Sequence, residues 1–587
     1  MVRALTWVLL GILAYTLAAM ALKSKDLIPE YIRLQGPITT IHTKHGRVLL
    51  DKLAAPRRLW RAWANFGVGI ALVVMALTFV TVLQSAITSV TRPESTPISD
   101  PQNVLVIPGV NEFLPLSAAP EIVFGLLVGL VVHEGGHGLL CRVEHIDIES
   151  MGLALFTLIP VGAFVEPSEE SRDTASRGAQ TRMFAAGVTN NFAIAAISFV
   201  LLFGPVIGSI AVAPGVPVGG TLAGSSAADA GLEHGDVVTH VNGTAVSDQA
   251  ALDRELDAID SATVELSLKS GQTVTVEREL LITAAIPTLL GDTGVGEEIT
   301  AVNGTEVRTT AAFRHAVADR TVVQLTTTNG TATLPVGAYA VRATAGGPLA
   351  EEGVPLNESV IITRLDDHRV PNATTLQRLL DEREPGDEAT VEAYVGGERA
   401  TYNVTLGELP NGGAAVGVQN LKRGYSGTEV SELGIDPYPA DYFLTLLGGG
   451  DTDPFAGQVL QRLIVVLTLP FWSQLPFGTY AFAGFVGPDA NFFTVGSGPL
   501  SFLDSGVFLL ANVLFWTGWV NLNLGLFNCI PTFPLDGGHI LRTSTESVVS
   551  RLPFDDGRQV TSLVTTSVTV VMLSALFLMI FGPQLFS

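Results

Sequence analysis

Between Leu127 and Leu140 the chain reads "LVGLVVHEGGHGLL", which sets two imidazoles and a carboxylate in a run otherwise fit for hydrocarbon. An ionisable side chain at bilayer depth costs about 2.5–3.5 kcal/mol on insertion scales, so such residues mark function more often than structure. His133 and His137 are four apart; on a helix both rings leave one face, one turn from each other, and can share a metal ion. Glu134 is offset by one residue, near enough to reach water at that metal without ligating it. This is the HExxH arrangement, in which the metal lowers the pKa of water and the glutamate takes its proton and later delivers it to the leaving amine. The pattern arises by chance in soluble chains. Inside an apolar run the chance reading weakens, because without a metal the three groups would be poorly satisfied.

A catalytic zinc needs a third protein ligand and an open fourth position. The candidate lies in "LFNCIPTFPLDGGHI", from Leu526 to Ile540. An apolar span breaks there into a Pro-rich, Gly-terminated segment, and broken backbone at membrane depth is tolerated only where protein or a wet cavity surrounds it. Asp536 stands at the break. On its own it reads equally as a metal ligand and as the N-cap of the helix that follows. His145 and His539 flank the two motifs and read as interfacial. Cys141 and Cys529 are too few for a disulfide framework and read as packed apolar thiols.

The elements that must hold these groups are membrane spans. Of 587 residues 47% are hydrophobic and the mean hydropathy is positive, which excludes a single soluble domain and implies several spans plus a water-soluble part. Apolar runs of crossing length occupy 4–22, 62–89, 119–141, 183–213, 506–528 and 560–583. The first has the look of a signal peptide, with "AMA" at 19–21 as the cleavage site. Charge decides against that, since nine basic residues lie between Lys23 and Arg61 and only Arg3 precedes the run. By the positive-inside rule this loop is cytoplasmic and the N-terminus outside. The third span then runs inward and carries His133, Glu134 and His137 towards its cytoplasmic end, with Arg142, Arg172, Arg177 and Arg182 following. The fourth returns outward and releases a long polar stretch, about 214–455. The run "VLQRLIVVLTLPF" at 459–471 is short and holds Gln461 and Arg462, so it reads as interfacial or re-entrant.

The net charge of −23, with six lysines against 27 arginines, is the balance of a protein solvated in concentrated salt and suggests a halophilic archaeon. It argues against nucleic acid as a partner, because phosphate binding needs clustered Lys and Arg. Within the long polar stretch a phrase recurs: "GDVVTHVNGTAV" from Gly235, "GEEITAVNGTEV" from Gly296 and, more loosely, "NESVIITRLDDHRV" from Asn357. Each is an alternating strand, a turn and a helix-like stretch such as "DQAALDRELDAI". This resembles PDZ domains, whose groove between a strand and a helix accepts an extended peptide. The likeness covers about 216–280 and 337–408; the middle copy, about 285–336, lacks the lead-in of the others and reads as degenerate or circularly arranged. The competing reading is a set of spacers that bind nothing.

Taken together, "HEGGH" at 133–137, "FNCIPTFPLDGGH" at 527–539 and "AGVTNNFAIA" at 186–195 resemble the site-2 proteases, intramembrane zinc metalloproteases. The resemblance implies that His133, His137 and Asp536 bind Zn2+, that Glu134 is the catalytic acid/base, and that Asn191 and Asn528 lie near the site to hold substrate backbone or the oxyanion. It also implies that Gly152–Pro167 is a membrane-embedded β-hairpin beside the zinc, whose edge can pair with an unwound substrate. The chain departs from the family at Val188 and Phe533, where proline is usual; neither position carries chemistry.

The expected architecture is a polytopic α-helical membrane protein of about six transmembrane helices with an inserted α+β, PDZ-like extracytoplasmic region. Its segments are 1–118, two helices and a basic cytoplasmic loop; 119–213, the HExxH half of the core; 214–410, the PDZ-like repeats; 411–505, a linker with the interfacial run; and 506–587, the LDG half. The expected activity is endoproteolysis of transmembrane segments of membrane-anchored proteins within the lipid bilayer, with the active site near the cytoplasmic side. A non-catalytic peptide-binding receptor or chaperone is the alternative, against which the intact Glu134 argues. A prenyl-protein protease would not need Asp536 in an LDG break.

Overall fold

The computed structural model describes residues 2–586 apart from 26–27, 30, 44, 92–106, 112, 158, 291–293, 410–411, 450–454, 456–457, 476–478 and 554. They form two units. Met1–Ala211, Phe443–Gly487 and Val495–Ser587 make the first, and Val212–Tyr442 with Pro488–Thr494 the second.

The first unit is helical. After α1 (Val2–Ser24) come α2 (Arg57–Thr91), α3 (Ala119–Glu144) and α4 (Arg177–Leu201), then α5 (Val459–Thr468), α6 (Gly506–Asn528), α7 (Asp536–Val549) and α8 (Gly557–Phe586). Among the described residues five helices are long and apolar enough to cross a membrane: α2, α3, α4 with its continuation to Ser209, α6 and α8. The sixth expected span falls on α1, whose apolar described stretch is the shorter Leu10–Ser24. Helix α5 runs directly into 3-10 turns over Leu469–Gln474, and the whole apolar stretch Val459–Gln474 is shorter than any of these five.

Small residues set the helix packing, as they must where no hydrophobic effect drives helices together. A Cβ on Gly125 would meet the Trp516 carbonyl oxygen at 2.9 Å, and one on Gly129 would meet Leu524 at 2.7 Å, so α3 lies against α6 along a Gly-x-x-x-Gly face. Gly518 and Gly525 of α6 admit Phe199 and Phe192 of α4 in the same way. Helices α3, α4 and α6 thus form the centre. On the outer helices α2 and α8 large apolar side chains stay exposed, among them Phe66, Val73, Leu77, Leu563 and Phe577, as lipid contact requires.

Against this centre lies a four-stranded antiparallel sheet, β1 (Ile32–Gln35), β2 (Ile38–His42), β3 (Ile148–Phe156) and β4 (Ile159–Pro167), in the order β1-β2-β3-β4. The outer pair lies inside the segment expected as a basic loop. Its short alternating run, "IRLQGPITTIH", turns at Gly36, where φ is +62°. Register Thr40↔Ala154 ties that run to β3. On the far side β4 has no strand partner among the described residues.

The second unit repeats one plan three times. The first copy has β5 (Val216–Thr221), β6 (Val237–Val241), the helix Gln249–Asp257, β7 (Thr263–Leu268) and β8 (Thr273–Glu277). The second has β9 (Leu281–Ala284), β10 (Ile299–Val302), the helix Thr310–Val317, β11 (Val322–Thr327) and β12 (Thr331–Pro335). The third has β13 (Ala338–Ala343), β14 (Val360–Leu365), the helix Ala373–Asp381, β15 (Glu388–Val395) and β16 (Glu398–Thr405). The repeated phrase explains the repeated geometry. Asn242, Asn303 and Asp366 each take a positive φ, which Asn and Asp tolerate best, and each side chain accepts a backbone N–H from the facing hairpin, from Glu265, Gln324 and Thr390 respectively. Asp248, Thr309 and Asn372 then cap the three helices by accepting the N–H three residues on. Every copy closes its own apolar core.

Residues beyond 411, expected as linker, continue the second unit: β17 (Val418–Leu421), β18 (Glu429–Ser431) and β19 (Ile435–Pro437) pair with β13, β9 and β5. Strands of three or four residues are too short for their alternation to stand out in a sequence.

Candidate metal centre

His133 and His137 leave the same face of α3, about 16 and 10 Å before its end at Glu144, and both are buried, at 7% and 9% exposure. Asp536 is the first residue of α7. The N-cap position belongs to Leu535, and no side chain caps this helix, so the carboxylate is not engaged in capping. It meets the imidazoles instead: Asp536 Oδ2 lies 3.1 Å from His133 Nε2 and 3.3 Å from His137 Nε2, and the two Nε2 atoms are 3.1 Å apart.

Backbone and side-chain partners fix what those atoms carry. His137 Nδ1 lies 2.8 Å from the Met183 carbonyl oxygen, which can only accept, so Nδ1 holds the proton and Nε2 presents a lone pair. His133 Nδ1 faces the Asn191 amide at 3.3 Å, while Asn191 Oδ1 is buried without a hydrogen-bond partner. Turning the amide over gives Oδ1 the His133 Nδ1 proton and leaves the second Nε2 free in the same way. Two imine nitrogens and a carboxylate oxygen then converge in a buried place, where their lone pairs repel unless a cation lies among them. Tetrahedral ligation at about 2.0–2.1 Å sets ligand atoms about 3.3–3.4 Å apart, close to the edges of this triangle. Two nitrogens and one oxygen are the donor set of a catalytic zinc site. The residues fit a metal ion of that kind.

Room for the triangle comes from α4. A Cβ on Gly187 would stand 2.7 Å from His137 Nε2 and 2.8 Å from His133 Cε1, so only glycine lets α4 pass. One turn away, Asn190 accepts a hydrogen bond from Trp63 Nε1 at 3.0 Å and donates to the Val132 carbonyl at 3.4 Å, linking α2, α4 and α3 next to His133. The turn into α7 is equally tight: a Cβ on Gly537 would meet the Ile530 carbonyl oxygen at 2.4 Å, and one on Gly538 would meet Thr532 at 2.7 Å. The two glycines after Asp536 let the break fold back on itself.

Glu134, half-buried, accepts a hydrogen bond from the Val165 N–H at 3.0 Å through Oε2. That N–H belongs to the unpartnered edge of β4, so the carboxylate sits where the sheet edge meets α3. Asn528 ends α6 with its amide donating to the Leu524 carbonyl of its own helix at 3.0 Å. His539 lies between the rings of Phe184 and Phe533, and His145 ends α3 within 2.9 Å of Arg57. Cys141 and Cys529 are buried in apolar clusters. Sequence reasoning did not single out Gly187, Asn190, Met183 or Val165. Gly187 and Asn190 lie inside "AGVTNNFAIA", but the other two act through backbone atoms, which any residue supplies.

Polar pairs gather at the same end of the bundle. Glu144 accepts hydrogen bonds from Arg61 at 3.1 Å and Arg182 at 2.8 Å, and Thr181 donates to Thr543 at 2.8 Å. The starts of α2 and α4, the end of α3 and the body of α7 therefore share one side. Residues 121–573, about three quarters of the chain, match the model of peptidase family M50.

Proposed function

This chain belongs to peptidase family M50, the site-2 protease family, and on that premise we propose that it is a zinc-dependent endopeptidase that cuts transmembrane segments of membrane-anchored proteins. Membership makes it a membrane metallopeptidase; the finer reading rests on the triangle of His133, His137 and Asp536. These three would hold the zinc, which when bound supplies a Lewis acid that lowers the pKa of water and polarises a peptide carbonyl. Glu134 acts as general base and then general acid: it takes a proton from the attacking water and delivers it to the leaving amine nitrogen. Its hydrogen bond from Val165 keeps one oxygen pinned and the carboxylate oriented. Asn191 is a positioning residue, since it holds the His133 ring from behind.

A transmembrane helix hides its peptide groups in its own hydrogen bonds, so it must unwind before hydrolysis. The open edge of β4 offers backbone partners for the unwound strand beside Glu134. The second unit we read as three PDZ-like repeats, on the support of their strand–helix grooves. An intact Glu134 in hydrogen-bonding order disfavours a receptor without catalysis.

For sidedness we place the triangle towards the cytoplasm and the repeats outside. Nine basic residues follow α1, and β2 from that loop pairs with β3 from the loop after α3, so both loops share one face. We read α5, with its continuation to Gln474, as interfacial or re-entrant, and on that reading α6 brings Asp536 back to that face.

Glu134→Gln should keep stoichiometric zinc and lower cleavage of a co-expressed single-span substrate by about 10²–10⁴-fold, the usual contribution of a general base. His133→Ala should lose zinc as well. Cleavage by Glu134→Gln at the wild-type rate would remove the proposed mechanism.

A further inference from the structure

Six asparagines stand two residues before a serine or threonine, with a residue other than proline between: Asn242, Asn303, Asn329, Asn357, Asn372 and Asn403. This is the acceptor pattern for an N-linked sugar. All six lie within Val212–Tyr442 of the second unit, which holds eight of the chain's 18 asparagines, and none is among the other ten. Serine and threonine are 36 of the 231 residues in that stretch, so chance would complete the pattern at about one of the eight.

The fold employs four of these asparagines. Asn242 and Asn303 hold the repeated turns, Asn372 caps its helix, and Asn403 in β16 accepts a hydrogen bond from the Thr390 hydroxyl at 3.0 Å. Asn329 and Asn357 differ. Both side chains are exposed, and among the described residues neither makes a hydrogen bond.

Both also lie on turns. Asn329 is at the tip of the hairpin between β11 and β12, where Thr327 N donates to the Gly330 carbonyl at 2.8 Å and Thr326↔Thr331 is the first register pair below the turn. Thr331, which completes its pattern, is exposed as well. Asn357 lies in the turn between the helix Pro348–Glu351 and β14, after the exposed Leu356 and two residues before the half-buried Ser359. Among the described residues no cap, turn or packing contact calls for asparagine at either place.

We propose that Asn329 and Asn357 each carry an N-linked saccharide. Nδ2 forms a bond to the anomeric carbon of a saccharide borne on a lipid phosphate; the carbon–oxygen bond to that phosphate breaks, the phosphate keeps the bonding pair, and the amide gives up one N–H proton to the transferase's base. The pattern is used on surfaces outside the cytoplasm, so the proposal rests on placing the second unit outside. A bulky, hydrated group keeps both turns in water, and neither then belongs to a surface that docks on protein or lipid. Asn372 stays bare. It is half-buried, its Oδ1 accepts the Thr375 N–H at 2.9 Å, and its side chain is also hydrogen-bonded to Tyr425.

The test uses the full-length protein purified from the membranes of its native host, digested and read by peptide mass spectrometry. Peptides holding Asn329 and Asn357 should carry saccharide mass on the asparagine, and the peptide holding Asn372 none. Thr331→Ala and Ser359→Ala, which keep both asparagines, should each strip the saccharide from their own site and leave the other, whereas Thr331→Ser should keep it. A bare asparagine at either site in the wild type would overturn the proposal there, and so would saccharide that survives Thr331→Ala or Ser359→Ala. Sidedness is read separately through Ser270→Cys, exposed on the hairpin between β7 and β8, in a background lacking Cys141 and Cys529. If an impermeant thiol reagent labels it in sealed cells while Asn329 and Asn357 are bare, the saccharides are refuted and the second unit remains outside. Bare asparagines with a cysteine that is labelled only after the cells are opened would overturn the exterior placement as well.

Discussion

Gly187→Ala puts one methyl group into the metal triangle without touching any ligand. Its Cβ would stand 2.7 Å from His137 Nε2, 2.8 Å from His133 Cε1 and 2.9 Å from His133 Nδ1, where ordinary contacts begin at 3.4 Å. Relief therefore requires a separation of about 0.7 Å between α4 and the rings. Neither side can give easily. His137 is held by the Met183 carbonyl of α4 itself, and α3 is locked to α6 through Gly125 and Gly129. Metal–ligand distances tolerate about 0.2 Å, so a shift of this size should cost at least the 10–100-fold in metal affinity seen when ligand-supporting contacts are lost, about 1.4–2.7 kcal/mol. The cleavage rate should fall by about 10²-fold, as for a misplacement of this order. Competitive zinc titration with a chromophoric chelator on purified protein reads the first quantity, and cleavage of a single-span substrate at saturating zinc the second. Gly135→Ala supplies the contrast. It lies inside the HExxH segment itself, yet nothing stands within 4 Å of its Cβ, and its zinc affinity should be unchanged. If Gly187→Ala binds zinc as the wild type does, the packing argument and the placement of α4 against the triangle are both wrong.

Asn191→Ala should weaken zinc binding by about 10–100-fold through loss of the ring support on His133, while Asn528→Ala, which removes an amide bonded to its own helix, should leave zinc affinity intact; the same chelator titration checks both, and equal effects would refute the assignment. For sidedness, in a background lacking Cys141 and Cys529, Ser544→Cys in α7 should be labelled by an impermeant reagent only from the cytoplasmic face and Ser473→Cys, just past α5, only from outside. Exterior labelling of Ser544→Cys in sealed cells would contradict the proposed orientation.

By itself the sequence determined what a local pattern can encode. A four-residue spacing on an apolar helix put His133 and His137 on one face, because helical periodicity needs no partner to be read. The "VNGT" turns at 241–244 and 302–305, with the looser "LDDH" at 365–368, announced three similar units, because a turn's preference for Asn, Asp and Gly is a property of two residues. The spans could be found by length and hydropathy, since lipid demands both. Tertiary structure decided everything that depends on elements far apart in the chain. Asp536 read equally as cap or ligand until α7 stood beside α3, roughly four hundred residues away in sequence. Gly187 and Asn190 acquire a role only from the closeness of α4 to the imidazoles, and the Met183 carbonyl and Val165 amide are backbone groups that no side-chain pattern announces. The hairpin Ile32–His42 looked like part of a basic loop because it finds its partner strand more than a hundred residues later. Segment 414–437 looked like a linker for the same reason: strands of three residues have no period to detect, and only the edges they pair with make them strands.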